Sequence, residues 1–367
     1  MTQPHIWLRA ESKPFEQRTA LTPSGAKTLI DQGFKVTIEQ STQSCISIDD
    51  YQALGCDIQP AGSWQQAPSD AYILALKELP DGDYPLNHKH IFFAHAYKEQ
   101  QGWQELLGRF SAGNGQLFDL EYLVDDNNRR IAAFGYWAGF AGAALGVKTW
   151  ATQQLQTIDS STPNLADIES YSDQQQLIDE LNQDLAKLKT HGIKPPKTLV
   201  IGALGRSGKG AADCIEQLNL EVVKWDMAET AAGGPFAAIN DMDILVNCVF
   251  VQQDLPPFTT IEALSADNRQ LRTIVDVSCD PYSSFNPLPI YNSCTTFDQP
   301  LLNIKAGKQP LQLMAIDHLP SLLPKESSED YCNQLVEHLK NLDQTDNQVW
   351  QRALNLFEQK SQQAKNS

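Results

Sequence analysis

Two apolar runs end on side chains whose chemistry goes beyond packing. "AYILALKEL" carries Lys77 and Glu78 at its end, and "IFFAH" ends on His95. Ligands of parallel sheets gather outside the carboxyl ends of the strands, so these two runs deliver a lysine and a histidine to one edge. A desolvated lysine beside other cations loses basicity and can serve as a base, and histidine already titrates near neutrality. Glu78 and Glu121 are candidates to tune that pair. Arg9, Arg18, Arg129 and Arg130 offer planar forks for carboxylates, although each, read singly, is more often a surface charge.

A different chemistry is written in "LVIGALGRSGKGAADC", residues 199–214. A triphosphate loop needs G-x-x-x-x-G-K-[ST]. Here Ala203 stands in place of the first glycine, and Gly210 in place of the hydroxyl that would reach magnesium. The dinucleotide fingerprint G-x-G-x-x-G fits better, with Ala203 for its first glycine and Gly205 and Gly208 in the other two places. It follows an apolar strand and opens a helix, the setting in which backbone can approach a pyrophosphate. Asp226 ends the next strand, "VVKWD". An acid there accepts from a ribose 2′-hydroxyl and repels a 2′-phosphate, which points to NAD over NADP.

These groups need a scaffold, and the pattern around them supplies one. Strands at 6–11, 35–40, 71–79 and 90–97 alternate with helices at 22–33 and 47–55. The strands are apolar without alternation, as in a parallel sheet covered on both faces. From residue 197 the alternation begins again: "TLVIGAL", a helix over 208–218, "EVVKWD", "DILVNCVF" and "TIVDVSCD". The fold expected is α/β, two Rossmann-like doubly wound parallel-sheet domains. Between them lies "IAAFGYWAGFAGAALGV", whose Gly135, Gly139, Gly142 and Gly146 fall on one helical face. That face suits core packing, or a connecting or subunit-interface helix. A further helix is expected near 173–190, and a polar, helical tail over 329–363 is expected to pack back on the first domain.

With 367 residues the chain has room for two domains. Its net charge of −17 repels phosphate backbones, so no nucleic-acid partner is expected. The first residues carry charges where a secretory signal would be apolar, and the longest apolar run falls short of a membrane span. The 7 cysteines form no Cys-x-x-Cys or Cys/His cluster. Reduced thiols in a cytoplasm are therefore expected, with no disulfide framework and no metal site.

Taken together, these segments resemble the NAD-dependent, lysine-forming saccharopine dehydrogenase family, relatives of alanine dehydrogenase and the transhydrogenase NAD domains. The resemblance is carried by "WLRAESKPFEQRTALTP", "LALKELP", "FFAHAYKEQQGW", "FDLEYLVDDNNRRIAAFGYWAGFAGAALG", "ALGRSGKGA", "KWDMAET", "DVSCDP" and "AIDHLPSLLP". Those segments span nearly the whole chain. The resemblance implies oxidation of saccharopine by NAD to lysine and 2-oxoglutarate, and the reverse reaction. It implies that Lys77 accepts the amine proton, that His95 activates water, and that Glu78 and Glu121 set their charge. Substrate contacts would come from Arg18, Lys98, Gln100, Arg130, Phe134 and Val277. Cofactor contacts would come from Arg129, Gly205, Arg206, Asp226, Thr230 and Phe250, with Asp317, His318, Leu319 and Pro320 closing over the nicotinamide. The domains implied are 1–133 with 319–367 for substrate and 134–318 for NAD, around an interdomain cleft. A monomer or small homo-oligomer is expected. Ser207 and Lys209 in the glycine loop depart from the family pattern. Two rival readings stand beside this one: an alanine dehydrogenase-like enzyme with a smaller substrate, and an NAD-binding sensor without turnover.

Overall fold

A computed structural model describes residues 3–251, 255–344 and 346–366. The chain divides into two units, 1–133 with 324–367, and 134–323. The return to the first unit comes at Pro324 and not at 319, because Leu319, Leu322 and Leu323 are buried in the core of the second unit.

The first unit is built on β1 (His5–Leu8), β2 (Lys35–Glu39), β3 (Asp57–Gln59), β4 (Tyr72–Leu74), β5 (Lys89–Phe92) and β6 (Gln116–Asp119). All pair in parallel, in the order β3-β2-β1-β4-β5-β6. This is a doubly wound order that reverses between β1 and β4. The connecting helices are α1 (Pro23–Asp31), α2 (Ile48–Gln52) and α3 (Trp103–Gly113). Thr22 caps α1 by accepting from the Gly25 amide, Pro23 opens it, and Gly33 at φ 88° ends the turn that follows. The strands are shorter than the apolar runs. β4 stops at Leu74 and β5 at Phe92, which leaves Lys77 and His95 on the irregular segments just beyond.

The second unit opens with the long helix α4 (Gly135–Ile158), followed by α5 (Gln174–Thr190). Its sheet contains β7 (Lys197–Ile201), β8 (Glu221–Trp225), β9 (Ile244–Asn247), β10 (Thr273–Asp276), β11 (Leu302–Asn303) and β12 (Gln312–Met314). The order is β11-β12-β10-β9-β7-β8, parallel except for β11 at one edge. The short helix α7 (Met227–Thr230) follows β8, and α6 (Arg206–Gln217) follows the glycine loop. Successive strand residues point to opposite faces, and both faces are buried. Val200, Val246 and Val275 meet α4, while Leu199, Leu245 and Ile274 face the other core. This explains why these strands are apolar without alternation.

The glycine face of α4 is spent inside this unit. A Cβ on Gly139 would lie 1.7 Å from the Ser207 carbonyl oxygen, and one on Gly210 of α6 would lie 1.9 Å from the Tyr136 carbonyl oxygen. Gly142 and Gly146 sit against Val277, Val275 and Ile244. Small residues let α4 and α6 cross at backbone contact, so core packing accounts for this face.

The tail forms α8 (Pro324–Leu339) and α9 (Gln348–Asn366) in the first unit. The Cys332 sulfur on α8 accepts from the Thr22 amide, and Phe357 and Trp350 on α9 pack edge-on against Phe110 and Phe118.

Candidate active site

The segments after β1, β4 and β5 lie where the first sheet reverses its strand order. The Arg9 amide still donates to the Leu74 carbonyl, but past that point side chains replace the ladder between the segments after β1 and β4. The Arg9 guanidinium donates to the carbonyls of Lys77 at 2.5 Å and Glu78 at 3.2 Å. The Glu11 carboxylate accepts from the amides of Leu76 at 2.6 Å and Lys77 at 3.0 Å. The two side chains are themselves 3.9 Å apart. Arg9 is buried and grips backbone, so it is a support for the Lys77 turn, not the carboxylate clamp suggested by its type. Burial pushes the Glu11 carboxyl up, although the Arg9 charge and the two amides work against that.

The Lys77 ammonium nitrogen lies 4.0 Å from Glu16 Oε2. Arg18 holds the same carboxylate with two hydrogen bonds, Nε at 2.7 Å and Nη2 at 2.6 Å. Burial lowers the Lys77 pKa, and the Arg18 charge lowers it further, with Glu16 opposing. Burial alone would raise Glu16, but the Arg18 bonds and charge, together with Lys77, hold it low. Lys77 is thus a partly buried amine with weakened hold on its proton. Glu16 and Arg18 also line a cavity of about 30 Å³.

His95 follows β5 with φ 51°, a conformation uncommon for a residue with a side chain. Its Nε2 lies 3.6 Å from Glu78 Oε1, and both side chains are half-exposed. Glu121 forms a fork with Arg130, at 3.1 Å to each of the two terminal nitrogens, and lies 4.0 Å from the Lys98 ammonium. Arg129 and Arg130 come from a tight reversal in which Val124 and Arg130 pair antiparallel and Asp125 and Arg129 share a backbone bond. Lys98 and Gln100 are exposed, with the Gln100 side-chain oxygen accepting from the Lys98 amide. Asp119, at the end of β6, accepts from the Glu121 amide. Burial pushes its carboxyl up to about 7, against the pull of the Glu121 and Ala94 amides.

In the second unit the glycine loop joins β7 to α6 where that sheet reverses order. Gly202 takes φ 82°, and a Cβ there would meet Val249 and Cys248. The turn glycine is therefore Gly202, and Ala203, read as its substitute, is the residue after it. A Cβ on Gly208 would lie 2.0 Å from the Gly202 carbonyl oxygen, so helix and turn close to backbone contact. Gly205 is the N-cap of α6, and no side chain caps that helix. This cradle of small residues at a helix start fits the pyrophosphate of a dinucleotide. The Asp226 carboxylate accepts from the Leu204 amide, 2.9 Å, and from the Met227 amide, 2.9 Å. It is tied to the glycine loop as well as capping α7.

The remaining cofactor and substrate candidates lie at separate points of this unit. Phe134 precedes α4, Thr230 is buried and donates its hydroxyl proton to the Asp226 carbonyl, and Arg206 opens α6. Phe250 is exposed after β9, and Val277 follows β10. Asp317 and His318 are exposed while Leu319 and Pro320 are buried, and the His318 ring stands edge-on to Phe297. Among the described residues no His/Cys/Asp/Glu cluster could hold a metal.

Four contributors escaped the sequence reading: Glu11, Glu16, Asp119 and Gly202. Three are carboxylates with no periodic or motif signal. Gly202 was visible in the three-residue glycine spacing 202, 205, 208.

Residues 7–141 match the N-terminal domain model of alanine dehydrogenase/PNT. The chain is 48% identical to saccharopine dehydrogenase (NAD+, L-lysine-forming) of Schizosaccharomyces pombe, over 98% of each chain. It is 47% identical to the enzyme of the same name from Candida albicans, over 96% of each. Among solved structures, it resembles L-alanine dehydrogenase with TM-score 0.62 and 17% identity, over 96% of this chain and 93% of that one. A transhydrogenase from Sinorhizobium meliloti gives TM-score 0.63 at 16% identity, over 96% of this chain and 97% of that one. These last two likenesses concern the fold, two Rossmann-like α/β units.

Proposed function

The chain belongs to the family of NAD-dependent, L-lysine-forming saccharopine dehydrogenases, and we propose that Lys77 and His95 are the acid–base pair with which it works. It is an NAD-dependent oxidoreductase that converts saccharopine to lysine and 2-oxoglutarate, and runs the reverse condensation and reduction. Bound NAD+ supplies the hydride acceptor for the carbon that bears the secondary amine. Lys77 takes the proton of that amine. The observation that carries this role is its setting: a partly buried ammonium 4.0 Å from a Glu16 that Arg18 already neutralises. Burial and the Arg18 charge weaken its hold on a proton, which suits a base near neutral pH. His95 then removes a proton from the water that adds to the imine carbon, and returns one to nitrogen as the C–N bond breaks. Glu78 beside it, and Glu121 beside Lys98 and Arg130, adjust the charge of the site.

In this reading Arg18, Arg130, Lys98, Gln100, Phe134 and Val277 hold the substrate and its carboxylates. Arg129, Gly205, Arg206, Asp226, Thr230, Phe250, Asp317, His318, Leu319 and Pro320 hold the cofactor. In this reading the first unit supplies the proton chemistry and most of the substrate contacts, and the second most of the NAD contacts. The enzyme acts in the cytoplasm as a monomer or small homo-oligomer. The free cysteines support the location, since thiols persist in a reducing compartment.

The test is steady-state oxidation of NADH with 2-oxoglutarate and lysine, compared with pyruvate and ammonia. Turnover confined to the first pair is expected. Turnover only with the second, or NADH binding without turnover, would overturn the reading.

A further inference from the structure

The second unit holds a pair of thiols that the proposed reaction does not use. Cys279 and Cys294 lie fifteen residues apart, and their sulfurs are 3.2 Å apart. The contact is fixed from both sides by one carbonyl. The Cys279 thiol donates to the Ala315 carbonyl oxygen at 3.1 Å, and the amide of Thr295, next to Cys294, donates to that same oxygen at 2.7 Å. The Ala315 amide returns a bond to the Thr295 hydroxyl at 2.9 Å. The loop between the cysteines is anchored by Tyr291, whose hydroxyl donates to Asp276 at 2.7 Å. Cys279 itself sits at φ 48°. The backbone on both sides thus holds the two cysteines with their sulfurs facing each other.

We propose that Cys279 and Cys294 are an oxidisable dithiol that closes to a disulfide when a hydroperoxide reaches it. A disulfide needs the sulfurs to approach by only about 1.2 Å more, to about 2.05 Å, which side-chain rotation supplies. Cys294 is exposed and Cys279 is partly buried, so the exposed sulfur meets the oxidant. Its thiolate attacks one peroxide oxygen, the O–O bond breaks, and a sulfenic acid and one water form. The Cys279 sulfur then attacks the Cys294 sulfur. The S–O bond breaks, and hydroxide leaves as a second water with the Cys279 proton. Two thiols lose two electrons, and one hydrogen peroxide becomes two waters. Burial raises the Cys279 thiol, consistent with a resolving role and not a first attack. A dithiol reductant reverses the closure by exchange. Such reversible bonds are the kind that a reducing compartment tolerates.

The test uses the full chain. It is treated with hydrogen peroxide without denaturant, then unfolded, blocked with iodoacetamide, digested and weighed. Cys279 and Cys294 should lose labelling together and appear as one linked peptide, lighter by about 2 Da than the two thiol peptides combined. Dithiothreitol should restore both labels, and neither C279S nor C294S should give the linked peptide. Sulfinic or sulfonic acid on Cys294 with Cys279 still labelled would overturn the proposal. So would a linkage joining two chains, or one joining either cysteine to another partner.

Discussion

At the carboxyl ends of β1, β4 and β5 the first unit gathers charge, while at the carboxyl end of β7 the second unit gathers glycine. Both places lie where a doubly wound sheet reverses its strand order, yet they are built from opposite materials. In the first, Arg9 and Arg18 are packed closely enough to Glu11, Glu16 and Lys77 to shift the proton affinities of those three groups. In the second, Gly202, Gly205 and Gly208 bring backbone to backbone. A proton-transfer site needs titratable groups with shifted pKa values. A pyrophosphate needs fixed amide dipoles that carry no titration of their own. The same topology serves both because it supplies only the position.

The comparison breaks most sharply if the charged edge is altered. Lys77→Met and His95→Gln should each lower turnover about 10²- to 10⁴-fold, the usual range for general acid–base groups. Tight NADH binding, followed by fluorescence, should survive both. Full turnover in His95→Gln would leave Lys77 working with another group.

The pH dependence of stability should also belong to the first unit. Asp119 has a folded pKa raised to about 7, above its ordinary value. Its contribution is therefore fully present below the unfolded pKa and lost as pH rises through about 7. Denaturant unfolding should show wild type losing roughly 2–4 kcal/mol across that window relative to Asp119→Asn. Parallel curves for the two proteins would contradict the shift.

The glycine edge should fail through volume, not charge. Gly208→Ala places a methyl 2.0 Å from the Gly202 carbonyl oxygen, and backbone must move to accept it. A cost of about 1–3 kcal/mol is expected, read as a lower Tm and weakened NADH binding. Unchanged affinity would mean that the turn is not the cofactor cradle.

The smallest effect concerns cofactor choice. Asp226→Ser should narrow the preference for NADH over NADPH by roughly tenfold, a change of about 1.4 kcal/mol. Some NADH affinity should also be lost, because Asp226 holds the Leu204 amide of the loop. An unmoved NADH/NADPH ratio would reduce Asp226 to that holding role.

Local pattern decided a good deal of this protein. Unalternated apolar runs announced buried parallel strands, since both faces of each sheet are covered. Thr22-Pro23 and Gly33 marked the bounds of α1, and glycines 205 and 208 marked the loop, because turn and cap conformations depend on the residues that adopt them. The residue types of Lys77, His95, Arg18 and Arg130 were equally plain. Their partners were not. That Arg9 grips the Lys77 turn, that Glu16 lies beside Lys77, and that α4 spends its glycines on α6 are all contacts between distant parts of the chain. Periodicity reports which face of an element is buried, but not which element lies against it. Only the parallel pairing of β1 with β4 brings Glu16 and Arg18 beside Lys77, and burial together with those charges decides how readily that lysine gives up its proton.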